Sequence, residues 1–266
     1  MARAILLRGA EAGIIAPSAT CIAEPEAPKR EAFAAMGFLT FENAAAAARA
    51  ADGLGPSRAM WLLAVKPQVF ASVAGELASA QLDANERTTV SIMAGLTTER
   101  ICAALACEPS TVVRTMPNLG ATVGRGVTAI AEDSGANPES VSAAGRLMRS
   151  LGSLVEPMPE AMIDAFTAVA GSGPAYVFYL AEAMTEAAQR LGFEGPAADR
   201  IVRGTIEGAA ELLTQSARTP EELRASVTSR GGTTAAALES LERDGVREAV
   251  ARAIGAAAAR SRELAG

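Results

Sequence analysis

The feature that most constrains the fold of this chain is a change of pattern near residue 158. Up to that point, short apolar runs alternate with stretches typical of helices. The predicted strands cover residues 20–23, 60–65, 88–92, 110–114, 126–130 and 153–155, and the predicted helices cover residues 31–36, 43–51, 67–78, 97–105 and 138–150. Because apolar strands that alternate with helices are typical of a sheet covered on both faces, residues 1–158 are predicted to form an α/β domain with a parallel sheet.

Beyond residue 158 no further strand is predicted. The sequence Ser172-Gly173-Pro174 favours a helix start, because Ser can cap a helix and Pro fits its first turn. Apolar residues then keep helical spacing up to Gly192. Further helices are predicted over residues 197–216, 220–226, 233–243 and 246–264. Residues 159–266 are therefore predicted to form an all-helical domain.

Composition and charge narrow the range of functions. The net charge is −6 and no block of basic residues occurs, which argues against nucleic-acid binding. No apolar run approaches the ~20 residues of a membrane span. The apolar run at the start is cut off by Arg8 and is too short for a signal peptide. We therefore expect a soluble, cytoplasmic protein that does not bind a membrane.

The chain contains no histidine, and its three cysteines, Cys21, Cys102 and Cys107, lack C-x-x-C spacing. We interpret them as small buried thiols rather than as ligands or nucleophiles. The lack of histidine excludes Ser-His-Asp and Cys-His catalysis and histidine-based zinc sites, and we expect no metal. Any chemistry must use hydroxyls, carboxylates, lysine, backbone dipoles or a cofactor.

Three predicted strands end in small or polar residues. An α/β sheet binds its ligand beyond the carboxyl ends of its strands. The residues at these ends are Ala64, Val65, Lys66 and Pro67 after the first strand, Ala94 and Gly95 after the second, and Met116, Pro117 and Asn118 after the third. Together they predict a binding crevice, although Lys66 alone is equally consistent with a solvated loop lysine.

The segment Thr228-Ser229-Arg230-Gly231-Gly232-Thr233-Thr234 stands at the start of a predicted helix. A helix that opens with Gly and Thr presents unobstructed N–H groups and hydroxyls, and the helix dipole attracts an anion to them. The same residues are also consistent with an ordinary capped helix start.

Four elements of the chain resemble the pyrroline-5-carboxylate reductase family. They are Ala64-Val65-Lys66-Pro67-Gln68, Arg114-Thr115-Met116-Pro117-Asn118, Gly171-Ser172-Gly173-Pro174-Ala175-Tyr176 and the segment 228–234, in the family's order. The resemblance covers nearly the whole chain. It implies a Rossmann domain over residues 1–158 that binds a nicotinamide dinucleotide, and a helical dimerisation domain over residues 159–266. The expected assembly is an interlocked homodimer, often within a larger ring.

The same resemblance implies the reaction and the roles of the residues. The expected reaction is the reduction of 1-pyrroline-5-carboxylate to L-proline by NADPH or NADH, the last step of proline biosynthesis. The substrate is a cyclic imine that bears a carboxylate. Met116 and Asn118 are expected to shape its pocket. Ser229, Gly231, Gly232 and Thr233 are expected to hold the carboxylate, the last three through backbone N–H groups. Thr234 is the expected catalytic residue, with its hydroxyl near the imine nitrogen as a hydrogen-bond partner or proton relay.

The cofactor-binding residues also follow from the resemblance. Ala64, Val65, Lys66 and Pro67 are expected to line the nicotinamide, with Ala94 and Gly95 at the neighbouring strand end. Asn43 matches a position near the adenosine ribose, and Glu24 lies where the ribose hydroxyls are recognised. An acid at that position favours a free diol over a 2′-phosphate. Arg30 could offset it, so the preference between NADPH and NADH stays open.

The chain departs from the family at its start. The family begins with a strand and a Gly-x-Gly-Asn-Met phosphate loop, whereas here residues 2–9 already read as the helix that follows the loop. In the Rossmann order the first strand is central, so the strands that begin at Thr20 and Met60 are expected not to pair with each other. We expect the natural chain to begin about ten residues before Met1, the length of a strand and its glycine-rich loop. A genuine N-terminus that frays is the alternative.

Smaller departures lie elsewhere. Arg230 replaces the family's usual Pro, Leu119-Gly120 replaces Thr-Pro, and residues 53–57 read as a small surface insertion. None of these removes a backbone donor, so we expect altered kinetics rather than lost chemistry.

Two other functions remain open at this point. One is a reductase of another cyclic imine or of a β-hydroxy acid, although the latter usually needs an inter-domain lysine and residues 159–266 contain none. The other is a non-catalytic helical dimer that has lost its phosphate loop. Titration with NADH and NADPH separates the second from an enzyme.

Overall fold

The computed structural model describes residues 1–54, 60–152 and 154–265, which form two compact units. The sheet unit comprises Met1–Ser172 and the end of the last helix from Ala257 onward, and the helical unit comprises Gly173–Ala256. Most of the predicted insertion at 53–57, and Ser153 of the predicted strand 153–155, lie outside the described residues. The last strand ends at Met158 while the sheet unit continues to Ser172, so a domain boundary after residue 158 stays a prediction.

The sheet unit contains two separate sheets. The larger sheet has the order β3 (Met60–Leu63), β4 (Thr88–Ser91), β5 (Val112–Pro117), β6 (Val127–Ala131) and β7 (Leu154–Met158). The smaller sheet pairs β1 (Cys21–Ala23) in parallel with β2 (Leu39–Phe41). As expected from the sequence, β1 and β3 do not pair with each other in the described part of the chain.

One strand pair departs from the parallel pattern. β3, β4 and β5 are parallel to one another, and β6 is parallel to β7, but β5 and β6 are antiparallel. The chain between them forms a short 3-10 turn over Leu119–Val123 instead of a crossover helix, so it reverses direction. The Rossmann-type class that the sequence predicted is confirmed, with this antiparallel pair in the second half of the sheet.

Seven complete α-helices lie in the described part of the sheet unit. They are α1 (Ala2–Glu11), α2 (Ala27–Ala34), α3 (Ala44–Asp52), α4 (Phe70–Ser79), α5 (Thr98–Leu105), α6 (Pro138–Arg149) and α7 (Ile163–Phe166). Two apolar clusters cover the larger sheet. One joins Leu63 and Val112 to residues of α3, α4 and α5, and the other joins Val90 and Val113 to residues of α1 and α6. Both faces of the sheet are therefore covered, as the strand pattern predicted.

The helical unit is built from α8 (Gly173–Arg190), α9 (Gly195–Gln215), α10 (Pro220–Ser226), α11 (Thr233–Arg243) and most of α12 (Val246–Ala265). Of its described residues 173–256, only Ala198 and Val202 are buried. Large apolar side chains such as Tyr179, which is 75% exposed, and Leu191, which is 81% exposed, face outward. This chain alone does not complete the apolar core of the unit.

One element was missed and two predictions about local structure were wrong. The short strand β2 was not predicted. β5 extends to Pro117, so Met116 lies in the strand and not in a turn after it. Ser172 does not cap a new helix: a π-turn over Thr167–Gly171 precedes it, and its own backbone is helical, with φ −83° and ψ −18°. The reason is that the chain is already helical from Ile163, so Ser172 lies inside a nearly continuous helical path.

Candidate functional site

The carboxyl ends of β3, β4 and β5 lie at one edge of the larger sheet. The register pairs Leu63 with Ser91 and Ser91 with Arg114 in parallel ladders. The residues that follow these three strands therefore lie side by side, as the sequence predicted. They are Ala64, Val65, Lys66 and Pro67 after β3, Ala94 and Gly95 after β4, and Asn118 after β5, with Met116 near the end of β5 itself.

The β3 end combines a partly buried valine with an exposed lysine. Val65 packs against the apolar cluster of α3, α4 and α5. Lys66 is exposed, and its carbonyl oxygen accepts a hydrogen bond from the N–H of Val69 at 3.0 Å, which closes a 3-10 turn that begins at Pro67. The side chain of Lys66 therefore stays free to turn toward a ligand while its backbone is held.

At the end of β4, Gly95 adopts φ +73°, a left-handed conformation that suits glycine. Gly95 is buried and the neighbouring Ala94 is half-buried. Small residues of this kind let a ligand approach the backbone closely.

The carboxyl ends of β1 and β2 bring together the two residues expected to contact the ribose. The N–H of Glu24 donates to the carbonyl oxygen of Phe41 at 2.9 Å, and Asn43 follows Phe41 by two positions. One carboxylate oxygen of Glu24 accepts from the N–H of Glu26 at 3.0 Å. Asn43 Oδ1 accepts from the N–H of Ala46 at 2.8 Å and so caps α3.

Arg30 adds a cation to this corner. Its guanidinium donates to the carbonyl oxygen of Glu24 at 2.9 Å and pairs with the carboxylate of Glu42 at 3.0 Å. Acidic and basic groups thus lie together where the ribose is expected.

Asn118 is committed to the protein's own backbone. Its Oδ1 accepts from the N–H groups of Gly120 and Val127, each at 3.1 Å, and its Nδ2 donates to the carbonyl oxygen of Ala170 at 3.0 Å. Met116, the other residue predicted to shape the pocket, lies against Gly171: its Cε would be 3.4 Å from a Cβ added there.

A buried arginine in β5 was given no role in the sequence analysis. Arg114, only 2% exposed, lies 3.2 Å from Glu160 Oε1 and 3.6 Å from Asp164 Oδ1. Glu160 Oε1 also accepts from the N–H of Thr98 at 2.7 Å, and Ser261 Oγ donates to Asp164 at 2.8 Å. The cluster joins β5, α5, α7 and the end of α12. An arginine within an otherwise apolar strand was the available signal, because buried arginines are almost always paired.

The segment 228–234 lies in the helical unit at the start of α11. Gly231 has φ +71°, and Gly232 occupies the cap position without a side-chain cap. The N–H of Gly232 donates to the carbonyl oxygen of Ser229 at 3.0 Å, so it is not one of the open donors expected from the sequence. The first α-helical bond runs from the N–H of Ala236 to Gly232, at 3.2 Å, which leaves the preceding turn, with Thr233 and Thr234, without helical acceptors.

The cysteines are free, and Cys102 is buried in the sheet unit. Burial, with a smaller contribution from Cys107, raises the pKa of the Cys102 thiol to about 12. Burial also raises the pKa values of Cys21 and Cys107. Thiols with raised pKa values are poor nucleophiles near neutral pH, which agrees with their interpretation as packing residues.

No group of three or more His, Cys, Asp or Glu side chains that could hold a metal occurs among the described residues. Within the described part of the chain, no helix is both long and apolar enough to cross a bilayer.

A Rossmann-type sheet with small residues at its carboxyl edge, next in sequence to a helical unit with a glycine-rich helix start, defines a two-domain oxidoreductase of the dinucleotide-dependent class. Comparison with known proteins specifies the family. Residues 160–264 match the family model described as pyrroline-5-carboxylate reductase dimerisation.

Individual relatives agree with that match. The chain is 39% identical to the pyrroline-5-carboxylate reductase of Synechocystis sp. over 76% of this chain and 74% of the relative. The structure of a pyrroline-5-carboxylate reductase from Coxiella burnetii superposes with a TM-score of 0.85 at 31% identity, over 100% of this chain and 95% of that one. The Plasmodium falciparum pyrroline carboxylate reductase, solved with NADP bound, shares the fold with a TM-score of 0.84 at 24% identity, over 99% and 94% of the two chains. The chain belongs to the pyrroline-5-carboxylate reductase family.

Proposed function

We propose that the protein reduces 1-pyrroline-5-carboxylate to L-proline with NADPH or NADH. The observation that carries the proposal is that the family's residues occur in two separate settings suited to two ligands. Small residues stand at the carboxyl edge of a Rossmann-type sheet, and a glycine-opened helix start stands in the helical unit. The first setting suits a dinucleotide and the second a small carboxylate.

Three parts of the sheet unit suit a dinucleotide: the ends of β3 and β4, the ends of β1 and β2, and the start of α1. Ala64, Ala94 and the left-handed Gly95 are small residues at the sheet edge proposed for the nicotinamide, and Lys66 is exposed there. Glu24 and Asn43 stand together at the ends of β1 and β2 for the ribose. The first turn of α1 has no acidic residue and no side-chain cap, so its backbone N–H groups suit a phosphate. The bound dinucleotide supplies the hydride.

The helical unit supplies the carboxylate site. Gly231 takes a left-handed conformation that turns the backbone into α11, and the N–H groups of Thr233 and Thr234 belong to the unsatisfied first turn. An anion gains there from both hydrogen bonds and the helix dipole. Ser229 receives the Gly232 N–H on its carbonyl oxygen and so shapes the turn rather than opening it.

Thr234 is the group we assign to the imine nitrogen. The reduction adds a hydride to the imine carbon and a proton to the nitrogen. The chain has no histidine, so a hydroxyl linked to water is the proton path that its residues offer. Holding the imine and the hydride donor in reactive geometry supplies the larger part of the rate.

The assembly follows from the family and from the exposed helical surface. The matched family model is a dimerisation domain, and the apolar side chains exposed on α8 and α9 require a partner. The protein is therefore a homo-oligomer that acts on a small molecule. An interlocked dimer, a larger ring and a cytoplasmic location stay predictions.

The test is a substrate panel. Purified protein is mixed with NADPH or NADH and with pyrroline-5-carboxylate, the six-membered cyclic imino acid, or a β-hydroxy acid with the oxidised cofactor. We expect turnover with pyrroline-5-carboxylate to exceed that with every other substrate by at least about tenfold, the effect of one ring methylene on a fitted pocket. Binding of neither dinucleotide would favour the non-catalytic dimer.

A further inference from the structure

We propose that Asn118 is a positioning residue for this reaction and not a direct substrate ligand. Its carboxamide fixes the π-turn Thr167–Gly171 against the end of β5, next to the ends of β3 and β4 where the nicotinamide is expected. This inference rests on the proposed function and adds to it a residue that acts through its neighbours.

The carboxamide of Asn118 is hydrogen-bonded through both its oxygen and its nitrogen. Oδ1 accepts from the N–H groups of Gly120 and Val127, and Nδ2 donates to the carbonyl oxygen of Ala170. One side chain thus ties together the turn after β5, the first residue of β6 and the π-turn. Both acceptor sites of the amide oxygen are used, which leaves one N–H for any other contact.

The sequence of the π-turn explains why Ala170 needs this donor. In an α-helix, the carbonyl oxygen of Ala170 would accept from the N–H four residues later, at Pro174. Proline has no N–H, so that bond cannot form. Ala170 is half-buried, so leaving its carbonyl without a partner carries a cost, and π-turns of this kind recur at functional sites. Asn118 supplies from β5 the donor that Pro174 removes from the helix.

The packing of Met116 links this contact to the site edge. Met116 lies in β5 on the same strand end as Asn118, and its Cε packs beside Gly171, the last residue of the π-turn. If the π-turn loses its tie to Asn118, Met116 loses a fixed neighbour and the edge that should hold the nicotinamide becomes mobile. Hydride transfer depends steeply on such placement.

Asn118→Asp removes the hydrogen bond to Ala170 and keeps the two that the side-chain oxygen accepts. The aspartate keeps acceptor oxygens for Gly120 and Val127 but places an oxygen against the carbonyl oxygen of Ala170. We expect kcat to fall about tenfold, which corresponds to about 1.4 kcal/mol, while KM for the imino acid stays within about twofold. A residue that bound the substrate directly would instead raise KM.

Asn137→Asp is the matched control. Asn137 also bonds to backbone groups through both ends of its carboxamide. Its Oδ1 accepts from the N–H of Ser140 at 2.8 Å, and its Nδ2 donates to the carbonyl oxygen of Ser110 at 2.7 Å. We expect it to lower thermal stability about as much as Asn118→Asp, with kcat within about twofold of wild type.

Pro174→Ala tests the proposed link. The alanine restores an N–H four residues after Ala170, so the π-turn no longer depends on Asn118. In this background we expect Asn118→Asp to lower kcat by about threefold or less, a coupling of the size seen for residues that share a partner. All variants are assayed at a temperature at which circular dichroism shows them folded.

Three results would overturn the proposal: a rise in KM with unchanged kcat, an equal loss of kcat with and without Pro174→Ala, or an equal loss in Asn137→Asp. If wild-type protein does not turn over pyrroline-5-carboxylate, the proposed function fails on its own. Wild type, Asn118→Asp, Pro174→Ala and the double variant are then compared in urea unfolding. Coupling between positions 118 and 174 would support the contact, and additivity would overturn it.

Discussion

The sheet unit and the helical unit differ in how they bury apolar surface. In the sheet unit, strand residues such as Val90 and Val113 are fully buried by helices of the same chain. Among the described residues of the helical unit, by contrast, only Ala198 and Val202 are buried. Since burial of apolar surface is the main stabilising term in folding, the comparison shows that the sheet unit buries its apolar residues within a single chain, whereas the helical unit leaves its own exposed, as expected of a dimerisation domain.

The two units also organise their polar groups differently. At the edge of the sheet, side chains such as Asn118 and Asn43 bond to backbone groups and fix the loops. In the helical unit, the turn before α11 is shaped by glycine conformation and offers open N–H groups. Fixed loops suit the large cofactor proposed for the first region, and open N–H groups suit the small anion proposed for the second.

The largest expected effect concerns the exposed helical surface. Phe178→Asp places a charge on α8, where Phe178 is 60% exposed in the single chain. If a second copy covers this face, the dimer dissociation constant should rise by at least about a hundredfold, the effect of losing an interface anchor. Sedimentation equilibrium measures it.

The control for this prediction is Ile14→Asp in the sheet unit, where Ile14 is 45% exposed. Unchanged association of Phe178→Asp, or equal loss in both variants, would show that the exposed apolar surface of the helical unit is not what binds a second copy.

The second effect concerns the chemistry in the helical unit. Thr234→Ala should lower kcat by about a hundredfold, the lower range for loss of an acid–base group, with the dissociation constant for NADPH unchanged. Thr234→Ser keeps the hydroxyl and should retain most of the activity. Steady-state kinetics and a fluorescence titration with NADPH measure the two quantities. Turnover of the alanine variant equal to wild type would take the catalytic role from Thr234.

A smaller effect is expected from the glycine turn. A Cβ on Gly232 would clash with Ser229 Oγ, which can rotate away, and would lie 3.2 Å from the Ser229 carbonyl oxygen, so the backbone of the turn must give slightly. Gly232→Ala should raise KM for the imino acid about tenfold, comparable to the loss of one charge-assisted hydrogen bond, with cofactor binding unchanged. Gly208→Ala in α9, where nothing lies within 4 Å, is the control. Equal KM values in both variants would mean that the turn does not bind the carboxylate.

The smallest effect concerns the ribose corner of the sheet unit. Glu24→Ala removes the acid beside Arg30 and should shift the ratio of kcat/KM for NADPH over NADH upward by about tenfold, since an acid at this position favours the free diol. Initial rates with both cofactors give the ratio, with Glu11→Ala as an exposed control. A constant ratio would remove Glu24 from cofactor selection.

What the sequence predicted correctly was mostly local. The helices at Pro220–Ser226 and Thr233–Arg243 have the bounds predicted for them, because Pro, Gly and helical spacing mark them directly. β2 was missed because three residues carry too little of a strand pattern. The gathering of the strand ends at one edge was predicted, since chain order and parallel pairing already place them there, but β5 runs on to Pro117.

The sequence could not predict which side chains contact each other in and below the site. Asn118 and Ala170 are 52 residues apart, and Arg114 and Glu160 are 46 apart. No local pattern pairs such residues. The π-turn was hidden for a related reason: Ser172-Gly173-Pro174 has the composition of a helix start, and only the helical path from Ile163 shows that it is not one.

Isotope labelling shows whether the protein transfers a hydride from the cofactor to pyrroline-5-carboxylate. Purified wild-type protein is supplied with pyrroline-5-carboxylate and with NADPH carrying deuterium at the transferable position of the nicotinamide. The account predicts L-proline with one deuterium on the carbon of the former C=N bond, formed in equal amount to the cofactor oxidised. Oxidation of the cofactor without labelled proline, or no oxidation by protein that binds both ligands, would contradict it.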